Sequence, residues 1–159
     1  MAGGKHIGFD MAVYLSEQGT ADRNFALAYF MNEKNAFPEN TDINQTLELY
    51  FQCCSLLINA DSMAVVAATL ANGGVCPLTG EQLLSPDTVK CCLSVMSSCG
   101  MYDYSGEFAF KVGLPAKSGV GGGIFGVIPG VMGICTFSPC LDEYGNSFQG
   151  VAFWEELVN

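Results

Sequence analysis

The 159-residue sequence predicts an α+β fold, in which helices fill about residues 1–100 and a sheet-forming part over 101–159 is closed by a C-terminal helix. Three observations carry that expectation. Apolar residues recur at helical spacing between Asp22 and Cys99. From Val112 to Gly150 glycine becomes dense and the apolar runs shrink to strand length. Helical spacing then returns at Val151, Trp154, Leu157 and Val158. The length suits one domain of about 100–200 residues, and no internal repeat or low-complexity linker divides it.

The elements follow in order. Asp22 to Lys34 carries Phe25, Leu27, Ala28, Phe30 and Met31, and Asn35 with Pro38 marks its end. Asp42 reads as the N-cap of a helix to about Ile58, with Ile43, Leu47, Tyr50, Phe51, Cys54, Leu57 and Ile58 near the 3.6-residue period. Asp61 or Ser62 caps the next helix, whose Ala64, Ala67, Ala68 and Ala71 allow close packing and whose exit is Asn72-Gly73-Gly74. Ser85-Pro86-Asp87 combines a cap, a proline at the first helical position and an acid at the positive helix end. That helix runs to Cys99 and stops at Gly100. Strands are predicted near Lys117–Val120, Ile124–Ile128 and Val131–Phe137, the last two joined by a turn at Pro129-Gly130. A second turn lies over Leu141–Asn146, after which Ser147 caps the closing helix. Three strands leave sheet edges that need pairing or covering, which hints that further chain belongs to this fold.

Half of the residues are hydrophobic and only 14% charged, which excludes intrinsic disorder. A net charge of -10 argues against nucleic acid and against an anionic membrane surface, both of which need a basic footprint. No apolar run reaches the ~18–20 residues of a membrane span, and Met1 to His6 lacks the apolar region of a signal peptide. The eight cysteines include the neighbours Cys53-Cys54 and Cys91-Cys92, which point about 100° apart on a helix. With no Cys-x-x-Cys and a single histidine, His6, no metal or cofactor is expected, and the cysteines read as unbridged, mostly buried thiols in a reducing compartment.

The chemistry gathers at Lys117-Ser118-Gly119, where a strand edge would set an ammonium and a hydroxyl beside a residue with no side chain, so that a substrate could lie against the backbone. Taken alone, this tripeptide is better read as an ordinary glycine turn after a surface lysine, though it resembles the Lys-Thr/Ser-Gly element of serine β-lactamases and penicillin-binding proteins. Longer stretches add to it. Asp22-Arg23-Asn24-Phe25-Ala26, Tyr29, Leu70-Ala71-Asn72-Gly73-Gly74, Ser85-Pro86, Cys99-Gly100-Met101-Tyr102-Asp103, Gly113 to Val120 and Gly145-Asn146-Ser147 follow one another in this order. Over essentially its whole length the chain thereby resembles the glutaminase family, serine-dependent hydrolases that convert L-glutamine to L-glutamate and ammonia.

That resemblance implies a partial β-lactamase/transpeptidase-like fold, a helical subdomain with an antiparallel sheet, and it implies site residues. Glu17 and Asn24, flanking the first helix, would contact substrate, as would Tyr50. Tyr102 would relay protons, the Val120 backbone N–H would help form the oxyanion hole, and Lys117 would be the lysine of the Lys-Ser-Gly element. Each role is chemically reasonable. Glu17 can hold the ammonium of an amino acid, and Asn24 offers both a donor and an acceptor. Tyr102 as a relay needs a nearby cation such as Lys117 to lower a phenol pKa near ~10. By burial habit alone, Tyr50 would be core and Glu17 a solvated acid.

None of the serines has a lysine three positions on, whereas the family's nucleophile lies in a Ser-x-x-Lys element. The resemblance puts that element upstream of everything matched here, together with an upstream tyrosine, another substrate asparagine and two strands. The chain therefore resembles the C-terminal half of the catalytic domain and is expected to be inactive alone. The family implies a dimer or tetramer for the complete protein, and an intracellular address, mitochondrial from an animal and cytoplasmic from a bacterium. An alternative is a non-catalytic partner that docks on a complete glutaminase subunit through the apolar face around Phe25, Tyr29 and Phe30, although plain core packing is the favoured reading of that face. A β-lactamase or penicillin-binding enzyme shares Lys117-Ser118-Gly119 but leaves Asp22-Arg23-Asn24 and the Tyr102 stretch unexplained.

Overall fold

The computed structural model describes residues 1–159, which form two compact units, Ile7–Ile58 and Met1–His6 with Asn59–Asn159. Their boundary does not coincide with the change of composition at Gly100.

The first unit comprises β1 (Gly8–Phe9), α1 (Met11–Gly19), α2 (Asp22–Glu33), α3 (Ile43–Cys54) and β2 (Leu56–Leu57). Asp10 starts α1, its carboxylate accepting the Ala12 and Val13 N–H groups. Asp42 caps α3 as predicted, accepting from the Gln45 N–H. This helix ends at Cys54 rather than near Ile58, because Leu56 and Leu57 pair antiparallel with Phe9 and Gly8, so strand pairing overrides the helical spacing. A small core of Ala21, Ala28, Leu47 and Phe51 joins α2 to α3, with Tyr14, Phe25, Phe37 and Ile43 at its margin. Core packing holds for Phe25 but fails for Tyr29 and Phe30, which are exposed: α2 buries only its Ala28 position. Tyr50 likewise lies half in solvent, on the rim of α3, with its ring edge-on to Phe51.

The second unit holds α4 (Ala60–Ala71), α5 (Pro86–Cys99), a 3-10 turn (Tyr102–Tyr104), α6 (Ser105–Lys111), β3 (Ala116–Ser118), β4 (Gly123–Ile128), β5 (Met132–Phe137) and α7 (Phe148–Leu157). The strands form one antiparallel sheet in the order β3-β4-β5. The cap of α4 is Asn59, not Asp61 or Ser62, since Asn59 Oδ1 accepts the Ser62 N–H and Ser62 itself is buried. The small residues of α4 let it lie directly on the sheet, where a side chain at Gly133 of β5 would overlap Ala67 and Ala68. Ser85 and Ser147 cap α5 and α7 as the sequence indicates. Helix α6 is not expected from the sequence. The first strand is also shorter than predicted and stops at Ser118.

Two cores fasten this unit. Ala67, Leu70, Ala71, Val89 and Val127 sit between α4, α5 and the sheet. Met101, Tyr104, Phe108, Val112, Ala116, Ile124 and the fully buried Trp154 form the other. No disulfide joins any cysteine, but only Cys76 is buried; Cys53, Cys54, Cys91, Cys99 and Cys140 are exposed, so the expectation of mostly buried thiols fails, because α3 turns Cys53 and Cys54 outward, α5 does the same to Cys91 and Cys99, and Cys140 lies in the exposed segment after β5. No helix is long and apolar enough to cross a membrane.

Candidate active site

The junction of α5 with β3 sets the geometry. Gly100 lies so close to β3 that a Cβ there would overlap the Ala116 carbonyl. Its own carbonyl accepts the Ser118 N–H at 2.9 Å, which covers part of the outer edge of β3. The end of α5 is thereby fixed to the strand, and Tyr102, two residues on, comes to rest over it.

The Tyr102 phenol donates to the Ser118 carbonyl at 3.4 Å. Lys117 Nζ donates to the same carbonyl and lies over the Tyr102 ring, 4.8 Å from its centroid. At this range an ammonium interacts with the negative face of the ring. Tyr102 is 39% exposed and remains open to a ligand. Strand alternation puts Lys117 and Ser118 on opposite faces. Ser118 is only 2% exposed and its Oγ has no hydrogen-bond partner, so the expectation that this hydroxyl meets substrate fails, and β3 offers Lys117 and a backbone carbonyl instead.

Val120 lies beyond β3, in the turn to β4, and is 70% exposed. The turn closes through Gly119 N–H to Gly123 O and Gly122 N–H to Gly119 O, both at 2.9 Å, while the Val120 N–H takes no acceptor in the chain. Gly145, at φ 90°, lies between the two groups: a Cβ there would stand 3.9 Å from Cδ2 and Cε2 of Tyr102 and 4.0 Å from Val120 Cγ1. Tyr102 thus touches Lys117 directly and nears Val120 across Gly145.

Glu17, Asn24 and Tyr50 belong to the other unit. Glu17 is in the last turn of α1 and Asn24 in the first turn of α2, so both lie within helices rather than flanking one; each is half-buried. Tyr50 projects from α3.

A polar cluster around the buried Tyr104 escaped the sequence reading. Tyr104 donates to Glu155 at 2.8 Å, and Lys111 Nζ reaches Tyr104 Oη at 3.1 Å, Glu107 at 2.8 Å and Glu155 at 3.2 Å. The hydrogen bond from Tyr104, with a further contribution from Lys111, holds the Glu155 carboxyl below its usual 4.5 despite desolvation. Burial pushes the Tyr104 phenol up. Acid, lysine and tyrosine at these separations give no recognisable pattern in the sequence.

Comparison with known proteins adds three findings. The glutaminase family model matches residues 1–159. The rat mitochondrial liver isoform of glutaminase is 53% identical over the whole chain, which covers 26% of it, and a Nostoc glutaminase is 50% identical over 97% of the chain, which covers 46% of it. The chain therefore spans about a quarter to a half of the length of these relatives. Among solved structures, the Bacillus subtilis glutaminase YbgJ, in covalent complex with 5-oxo-L-norleucine formed from 6-diazo-5-oxo-L-norleucine, superposes with a TM-score of 0.88 at 37% identity, covering 98% of this chain and 55% of that one.

Proposed function

This chain belongs to the glutaminase family, and from that premise we propose that the complete protein, one carrying these residues together with a Ser-x-x-Lys element, hydrolyses L-glutamine to L-glutamate and ammonia. The observation that carries the reading is a phenol that bonds the end of β3 with an ammonium on its ring, next to a turn in which the Val120 N–H takes no acceptor.

The serine hydroxyl attacks the side-chain amide carbon. Negative charge collects on the former carbonyl oxygen, where the Val120 N–H meets it, a contribution of ~3–4 kcal/mol for one such donor. Tyr102 passes the serine proton to the departing nitrogen, which leaves as ammonia. Water then adds to the acyl-enzyme, its proton returns through the phenol to the serine, and glutamate is released. Lys117 stabilises the phenolate form of Tyr102 during these transfers. Glu17 holds the substrate ammonium, and Asn24 and Tyr50 contact its polar groups. The fold around them is read as β-lactamase/transpeptidase-like. The covalent adduct described for the Bacillus relative, made from a diazo-ketone shaped like glutamine, supports a nucleophile at the amide end of the substrate.

The 159 residues alone lack the attacking group, so ammonia release from glutamine is expected only from the complete protein. There Tyr102→Phe lowers kcat by ~10²–10⁴-fold, the usual worth of a proton-transferring side chain. Serine-dependent turnover by the 159 residues alone, or full activity of Tyr102→Phe, refutes the reading. We also read the complete protein as a homo-oligomer, mitochondrial if its source is an animal and cytoplasmic if bacterial, with the exposed Tyr29 and Phe30 on α2 as support for the assembly.

A further inference from the structure

Three residues other than glycine have positive φ: Asn35 at 53°, Asn40 at 62° and Tyr102 at 54°. Asparagine tolerates this region because its short amide can bond locally. A tyrosine does not, and a bulky residue keeps such a backbone only where its surroundings impose it. The strained residue of this chain is therefore the one whose phenol the proposed mechanism uses.

The restraint is visible on both sides of the Tyr102 Cα. Asn146 Nδ2 donates to the Met101 carbonyl at 3.1 Å. Ser105 Oγ donates to the Tyr102 carbonyl at 2.6 Å and accepts the Met101 N–H at 2.9 Å. The torsion φ of Tyr102 runs from the Met101 carbonyl carbon to its own, so these two side chains grip the oxygens at both ends of it. Both are buried, Ser105 at the start of α6 and Asn146 before α7. Asn146 is itself held, its N–H bonded to Asp142 Oδ1 at 2.9 Å and its C=O to the Asp142 N–H at 2.7 Å. Its Oδ1 is buried without a partner. A buried acceptor left unpaired is unfavourable, so the Asn146 amide is retained for its donor.

We propose that Ser105 and Asn146 are positioning residues for Tyr102: neither touches reacting atoms, and together they hold the left-handed backbone that aims the phenol at the space beside Val120 and Lys117. This rests on the reading of Tyr102 as the proton relay. A phenol misplaced by about an ångström costs up to ~100-fold in rate.

The test is a double-mutant cycle in the complete protein. Ser105→Ala and Asn146→Asp are each expected to lower kcat by ~10–100-fold with KM within ~2-fold, and Ser105→Thr, which keeps the hydroxyl, to recover most of the loss. In a Tyr102→Phe background the same changes are expected to cost less than ~2-fold, because no phenol remains to be aimed. Equal losses in both backgrounds mean a general structural role and overturn the proposal. So does normal activity of both clamp variants beside a crippled Tyr102→Phe, which leaves the function intact. A fully active Tyr102→Phe instead removes the relay reading and this proposal with it. Two clamps allow the cycle to be run through either one. If Tyr102→Phe turnover is too low for a cycle, crystal structures of the Ser105→Ala and Asn146→Asp chains decide: Tyr102 is expected to leave positive φ, and a φ that stays near its present value in both overturns the proposal.

Discussion

The two compact units differ in how they hold their candidate site residues. In the unit containing Asn59–Asn159, Tyr102, Lys117 and Val120 lie on backbone fixed by two cores, by the contact of Gly100 with β3 and by the clamps at Ser105 and Asn146. In the unit Ile7–Ile58, Glu17, Asn24 and Tyr50 ride on three helices with a four-residue core and exposed apolar side chains at Met11, Leu15, Leu27, Tyr29 and Phe30. The first arrangement holds its residues in fixed geometry, as the proposed chemistry requires. Both units expose apolar side chains, Phe110 and Phe148 in the one and Leu27 and Phe30 in the other, so what separates them is the core beneath the candidate residues.

The comparison breaks most readily at the cores. Trp154→Ala and Phe51→Ala each remove a fully buried ring and should cost about 3–5 kcal/mol in chemical denaturation of the chain. Only the first is expected to disturb the amide hydrogen-exchange signal of the Tyr102–Tyr104 backbone, because Trp154 shares a core with Met101 and Tyr104. A loss of that signal in Phe51→Ala would erase the distinction.

A smaller effect concerns pH. The folded-state pKa of Glu155 lies below its ordinary 4.5, so its contribution to stability is present above that value and is lost as pH falls through the depressed folded pKa. Glu155→Gln should flatten this acid limb of the denaturation midpoint between neutral pH and pH ~3. An unchanged limb would show that the Tyr104–Lys111–Glu155 cluster does not couple to folding.

The smallest effect is expected on α2. Phe30→Ser and Tyr29→Ser should shift the stability of the chain by no more than about 0.5 kcal/mol, as exposed positions do. In the complete protein the same changes should lower the assembled mass measured by light scattering. Destabilisation of the chain itself by several kcal/mol would restore these residues to its core.

What the sequence made legible was local. Ser85-Pro86 and Ser147 announced their helices, and Pro129-Gly130 its turn, because caps and turns are decided by residues within one helical turn of each other. The family stretches located Tyr102, Lys117 and Val120, and the structure brings those three together. Distant partners were not legible. Leu56-Leu57 left the helix for a strand because of Gly8-Phe9, about 48 residues away along the chain. Ser118 turned inward once the register with β4 fixed which face Lys117 takes. Asn146 stood in a stretch noted for its resemblance, yet its role depends on a bond to Met101 that no local pattern encodes. Asp10, by contrast, was an available cap signal for α1.

The central claim is that the Tyr102, Lys117 and Val120 space receives the substrate carbonyl. A crystal structure of the complete protein after reaction with 6-diazo-5-oxo-L-norleucine tests it most directly. The ligand oxygen is expected about 2.7–3.1 Å from the Val120 nitrogen, with the Tyr102 phenol facing the serine that carries the adduct. An adduct whose oxygen lies away from Val120 and beyond reach of Tyr102 would contradict the account.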